Sequence, residues 1–182
     1  MGMMMRVWTR IVLTAGLVAL ASMAVGCKST SYKKFNLTVA LDEAYARSSG
    51  SGVTKVDVVA LSGQRASSLD AVPMREYWTE SDPYRRGLVN EGVLWTVELS
   101  AQNPSATLSS REKIWNSAVW KTGGRLYILA DIPGVGPGRD GVDPRRLALP
   151  RDSELWSGNK LDVRVNSQGM SYTPQEKVSG QR

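Results

Sequence analysis

The chain has 182 residues, with 23 Lys and Arg against 17 Asp and Glu, no His and one Cys, for a formal charge of +6. Hydrophobic residues make up 42% and charged residues 22%, so neither a wholly disordered chain nor a multi-span membrane protein fits. The missing His removes imidazole bases, Ser-His triads and His metal sites, and the lone Cys27 removes internal disulfides, CxxC redox pairs and Cys-cluster zinc sites.

Residues 1–10 carry Arg6 and Arg10 and no acid, and residues 11–24, IVLTAGLVALASMA, carry no charge. A spanning helix needs about 20 apolar residues, which this run does not reach. It fits the apolar region of a secretory signal peptide instead. Ala24 and Gly26 supply the narrow side chains a signal peptidase requires, and the first acid of the chain is Asp42. The segment AVGC, Ala24–Cys27, resembles the lipobox of bacterial lipoproteins, with Ala24 where that family favours Leu. The resemblance implies a diacylglyceryl group on the Cys27 thiol, cleavage between Gly26 and Cys27, and acylation of the new amino group. Acyl chains gain about 0.8 kcal/mol per buried CH₂, so the predicted lipid partner is the membrane itself, through Cys27. In that family an Asp after the lipidated Cys retains the protein in the inner membrane. Lys28 stands there, which implies the outer membrane, periplasmic face.

The predicted organisation is a signal peptide over residues 1–26, a lipidated Cys and polar tether over 27–34, a domain over 35–173 and a flexible polar tail over 174–182. Loss of Arg6 and Arg10 takes two units from the charge of +6. Lys28, Lys33 and Lys34 in the tether either rest against anionic head groups or are simply solvated. No dense Lys/Arg stripe with aromatic platforms is present, so no nucleic-acid partner is expected.

Within the domain the period is mostly two. Phe35–Leu41 predicts a strand with Leu37, Val39 and Leu41 on its apolar face. Asp42–Arg47 predicts a helical turn and Ser48–Gly52, SSGSG, a loop. Val53–Leu61 predicts a second strand, with Val56, Val58 and Ala60 inward and Lys55 and Asp57 outward. Residues 66–89 are irregular, and the Asp82-Pro83 turn signal predicts a short strand near Met74–Trp78 followed by a long loop. Val93–Ala101 predicts a strand that places Trp95 in the core. Ser109 and Glu112 stand at capping-box spacing ahead of an apolar stripe of Ile114, Trp115, Ala118 and Val119, which predicts a helix over Ser110–Lys121. Arg125–Ile132 is apolar on both faces and reads as a central strand. Pro133–Pro144 holds four Gly and three Pro in twelve residues, a shaped loop. Arg145–Pro150 reads as an edge strand, and Gln168-Gly169 as the hairpin between a strand at Leu161–Val165 and its return at Met170–Thr173.

This succession predicts a mainly β fold, a two-sheet antiparallel β-sandwich with one short helix and long Gly/Pro loops, in preference to an α+β arrangement. The outline resembles the small sandwich lipoproteins that join envelope-spanning assemblies, including the type VI secretion lipoprotein. That resemblance implies an outer-membrane anchor and an inner-membrane partner bound through a loop. The mature domain carries no motif of that family, so no binding residue follows from it.

Asp131, Asp140 and Asp143 bracket the Gly-rich loop, either as turn caps or as oxygen ligands for Ca²⁺. Glu76 with Glu80, or Asp82 with Glu91, are carboxylate pairs by residue type only, and the serines lack a base. No enzyme and no cofactor are expected. Trp78, Tyr84, Trp120 and Trp156 sit near irregular segments and serve either packing or a partner. The block Tyr77–Arg86, YWTESDPYRR, adds Arg85 and Arg86 and is the predicted recognition loop. The expected function is a membrane-anchored periplasmic interaction module, a subunit of a cell-envelope assembly bound to another envelope protein. The alternative is a lipoprotein that binds glycan or a small ligand through exposed aromatics.

Overall fold

Strands that alternate apolar and polar side chains can cover a core with one face and meet water with the other. Strands β1 (Asn36–Leu41) and β7 (Lys160–Asn166) do this, burying Leu37, Val39, Leu41, Leu161, Val163 and Val165. The computed structural model describes residues 32, 34–48, 52–138, 141–151 and 160–173. The chain divides into Met1–Thr30 and Ser31–Arg182, and the described residues belong to the second unit.

One sheet has the order β4-β1-β7-β8, with β4 at Ser105–Leu108 and β8 at Gly169–Thr173. The other has the order β3-β2-β5-β6, formed by Trp95–Leu99, Thr54–Leu61, Arg125–Ala130 and Arg146–Pro150. The sandwich expected from the sequence is the architecture found. Every strand pair is antiparallel except β1 with β7, which run parallel from Asn36 opposite Lys160 to Leu41 opposite Val165. Gly169 opens the return strand at φ 142°, and a Cβ there would lie 2.5 Å from the Pro144 Cβ. The predicted β7–β8 hairpin therefore requires glycine at this position.

The two sheets are not equivalent. In β2 and β5 both faces are buried: Val58, Ala60, Leu126 and Ile128 on one, Asp57, Val59, Tyr127 and Leu129 on the other. The second face is roofed by helical segments that the sequence reading did not predict. Helices α2 (Gly63–Ala71), α3 (Met74–Tyr77) and α4 (Pro83–Asn90) bury Leu69, Met74, Tyr77 and Leu88. The single short helix expected is thus corrected to five α-helices among the described residues, with α1 at Glu43–Ser48 and α5 at Ala118–Thr122. The strand expected near Met74–Trp78 is helical. Asp82-Pro83, read as a turn, is a helix start: the Asp82 carboxylate accepts from the Arg85 backbone N–H at 2.7 Å, and Pro83 occupies the first helical position.

The capping box at Ser109 is also corrected. The Ser109 carbonyl accepts from the Glu112 N–H at 3.0 Å and from the Trp115 indole N–H at 2.8 Å, so no helix grows from it. A 3₁₀ turn at Lys113–Asn116 follows, and Ser117 caps α5, its hydroxyl accepting from the Trp120 N–H at 3.3 Å. Strand β3 lies at a sheet edge, so Trp95, expected in the core, is half-buried. Helix α5 ends against β2, where a Cβ on Gly123 would sit 2.6 Å from the Ala60 carbonyl carbon.

Candidate partner-binding face

The helical roof positions most of the residues singled out between Tyr77 and Arg86, and it does so through a carboxylate expected to face solvent. Asp57 points away from the inter-sheet core, as the alternation of β2 requires, yet it is fully buried beneath α3 and α4. Its carboxylate accepts from the Tyr77 hydroxyl at 3.0 Å, the Arg85 Nε at 2.7 Å and the Thr96 hydroxyl at 2.6 Å, with Arg85 Nη2 at 3.4 Å. Arg85 also lies 5.1 Å from the Trp78 ring centroid, and the rings of Tyr77 and Trp78 meet edge-to-face at 5.2 Å. Burial, reinforced by the Asp57 charge, pushes the Tyr77 phenol far above its usual range. Burial alone would lower Arg85, but its bonds to Asp57 outweigh that and leave it raised. A carboxylate surrounded by donors in this way holds those side chains in place.

Tyr84 is half-buried, and its hydroxyl donates to the Arg65 carbonyl at 2.6 Å. Arg86 is exposed. The structure thus brings Trp78, Tyr84, Arg85 and Arg86 together on one helical layer, with Arg86 as its most accessible member. Trp120 does not join them. It is fully buried, edge-to-face with Trp115 at 5.0 Å, and its indole N–H donates to the Val93 carbonyl at 2.6 Å. Of the two roles the sequence left open for Trp120, this burial selects packing and removes it from the candidate partner-binding residues. Trp156 lies outside the described residues, as do Gly26 and Cys27.

Beside the roof, the Gly/Pro loop and the α2–α3 junction enclose a groove of about 370 Å³, lined in part by Asp70, Pro73, Arg75, Pro137 and Arg146. Arg146 reaches from β6 to the α2–α3 junction, donating to the Asp70 carbonyl at 2.7 Å and to the Val72 carbonyl. Asp143 is held by Arg145 through bonds of 2.9 and 2.7 Å. Burial raises this carboxyl, but Arg145 outweighs burial and leaves it below the usual carboxylate range. Asp131 is half-buried, and desolvation pushes it up. Asp140 lies outside the described residues, and among those residues no three His, Cys, Asp or Glu side chains gather as a metal site. Asp143 is an arginine partner and a turn residue, not an open cation ligand.

Sequence reasoning missed a second buried charge. Arg151 follows β6 and is 2% exposed. Its Nη1 donates to the Gly123 carbonyl at 3.1 Å and to the Trp120 carbonyl, while the guanidinium lies 5.2 Å from the Trp115 ring and 5.3 Å from the Tyr32 ring. Desolvation pulls its pKa down to about 10. Nothing local marks this arginine, because its cage is drawn from two stretches of chain far from it in sequence, Tyr32 and Trp115–Gly123.

These features define a β-sandwich whose second sheet is roofed by an ion-pinned helical layer. No family model matches the chain, and no curated protein is similar to it in sequence. The fold is shared with a solved structure. That structure, described as a type VI membrane complex, is similar over 79% of this chain and 99% of that chain, with 16% identity and a TM-score of 0.52. The C-terminal domain of the T6SS protein TssM from EAEC is similar at 14% identity, over 77% of this chain and 97% of that one, with a TM-score of 0.48. Serratia marcescens Lip, a membrane bound component of the type VI secretion system, is similar at 13% identity, over 80% and 99% of the two chains, with a TM-score of 0.47.

Proposed function

We propose that this protein is a lipid-anchored, periplasm-facing subunit of a cell-envelope assembly of the type VI secretion kind, held at the outer membrane through Cys27. The observation that carries the reading is the similarity to the type VI membrane complex, which takes in 99% of that chain. The AVGC segment supports the anchor, and Lys28 after it supports outer-membrane sorting. The role is one of binding, without a catalytic step or a cofactor. The helical layer that carries Arg86, Tyr84 and Trp78 is the proposed contact for the envelope partner. Among the described residues the Trp side chains are buried or half-buried, which disfavours a glycan platform built on exposed indoles.

The test is crosslinking in intact cells followed by affinity capture of the full chain. Recovery of an envelope protein, weakened by Arg86→Glu, is the expected result. Recovery of the monomer alone under several crosslinking chemistries would overturn the assembly reading.

A further inference from the structure

The first described residues of the chain do not hang free of the domain. The Tyr32 ring lies against the buried Arg151 guanidinium, and the Tyr32 hydroxyl is so close that a Cβ on Gly124 would sit 2.9 Å from it. Lys34 Nζ donates to the Asn116 side chain at 2.6 Å, and the Asn36 side-chain carbonyl accepts from the Ser110 N–H at 2.8 Å. Tyr32, Lys34 and Asn36 are therefore stapled along residues 110–124, and Arg151 lies against both Tyr32 and that stretch. Five peptide steps separate Cys27 from Tyr32, a reach of at most roughly 18 Å when fully extended. Residues 109–124 contain Arg111, Lys113 and Lys121, all exposed, against the single acid Glu112. Lys28, Lys33 and Lys34 lie in the adjoining tether.

We propose that the face formed by the 3₁₀ turn and α5 is the membrane-facing side of the domain, and that its cations contact anionic phospholipid head groups. This rests on the lipoprotein reading of Cys27. An anchor this short, ending at a staple, fixes which side of the domain the bilayer meets. The charge on that side has the sign that anionic lipid attracts. The staple then leaves the helical roof as a separate surface for a protein partner.

The test uses the full acylated chain, extracted in detergent and returned to vesicles of phosphatidylcholine or of phosphatidylethanolamine with phosphatidylglycerol. Hydrogen exchange of residues 109–124 is expected to slow on the anionic vesicles relative to the neutral ones, by about fivefold for each engaged cation. Exchange in α4 is expected to be the same on both. The variant R111E/K113E/K121E should lose the difference with unchanged thermal unfolding, and Tyr32→Ala should reduce it where Tyr32→Phe retains it. Equal exchange on the two vesicle types, with Cys27 acylated by mass, overturns the proposed face and leaves the anchor standing. A free Cys27 thiol in membrane-extracted protein overturns both.

Discussion

Asp57 shows how much one side chain can organise. It is fully buried, it receives hydrogen bonds from Tyr77, Arg85 and Thr96, and it pins the helical roof to β2. Breaking a buried ion pair from one side costs about 3–5 kcal/mol, because the remaining charge loses its partner without regaining water. Arg85 is a quarter exposed, which moves the expectation to the low end. Asp57→Ala should destabilise the domain by about 3 kcal/mol in urea unfolding. A loss no larger than that of a surface carboxylate would contradict the role assigned to it. Tyr77 offers an independent check by pH. Its folded pKa lies above its unfolded one, so its contribution is complete below pH ~10 and is lost as pH rises above that value. The folded state holds the phenolic proton that the unfolded chain releases, at about 1.4 kcal/mol per pH unit. Unfolding free energy should therefore fall less steeply above pH ~10 in Tyr77→Phe than in the wild type.

At the scale of the element, short helices depend on their ends. Ser117, not Ser109, caps α5. Ser117→Ala should cost about 1 kcal/mol, and Ser109→Ala only a few tenths, in parallel thermal or chemical unfolding. Gly123→Ala should cost about 2 kcal/mol, since the added methyl meets the β2 backbone at 2.6 Å, where no rotamer change relieves it. Most strands were legible in the sequence because a period of two survives burial of one face; the short β4 was not, and the strand expected near Met74–Trp78 is a helix. Strands β1 and β7 kept it, and the two-sided apolar run at Arg125–Ala130 correctly marked a central strand. The roof was not legible. Helices α2 to α4 are short, polar on their outer sides and interrupted at Pro73 and Asp82, so no helical stripe runs long enough to outweigh the turn residues. Asp57 was misplaced for the same reason: alternation put it outside the core but could not reveal a second layer over that outside. Trp120 and Arg151 depend on contacts between distant residues, which no local pattern records.

At the scale of the whole molecule, the proposed anchor separates cleanly from the fold. Cys27 precedes every strand among the described residues, so Cys27→Ser should release the protein from the membrane fraction while leaving its unfolding midpoint unchanged. Fractionation of cells expressing the full chain measures the first, and thermal unfolding in detergent the second. Retention of the variant in the membrane fraction would assign the attachment to some feature other than the acyl chains.

The parallel pairing of β1 with β7 constrains how the domain is made. Asn36 lies opposite Lys160, so β1 meets β7 only across most of the domain's sequence, whereas its other neighbour, β4, lies nearer along the chain. Contacts so remote along the chain close slowly, since a long loop must be ordered before the pairing rewards it. The β1–β7 pairing is thus the step that joins the two halves of its sheet, β4-β1 and β7-β8. Until that step the inner edge of β1 stays open, which makes it the place most exposed to mispairing with another chain during folding.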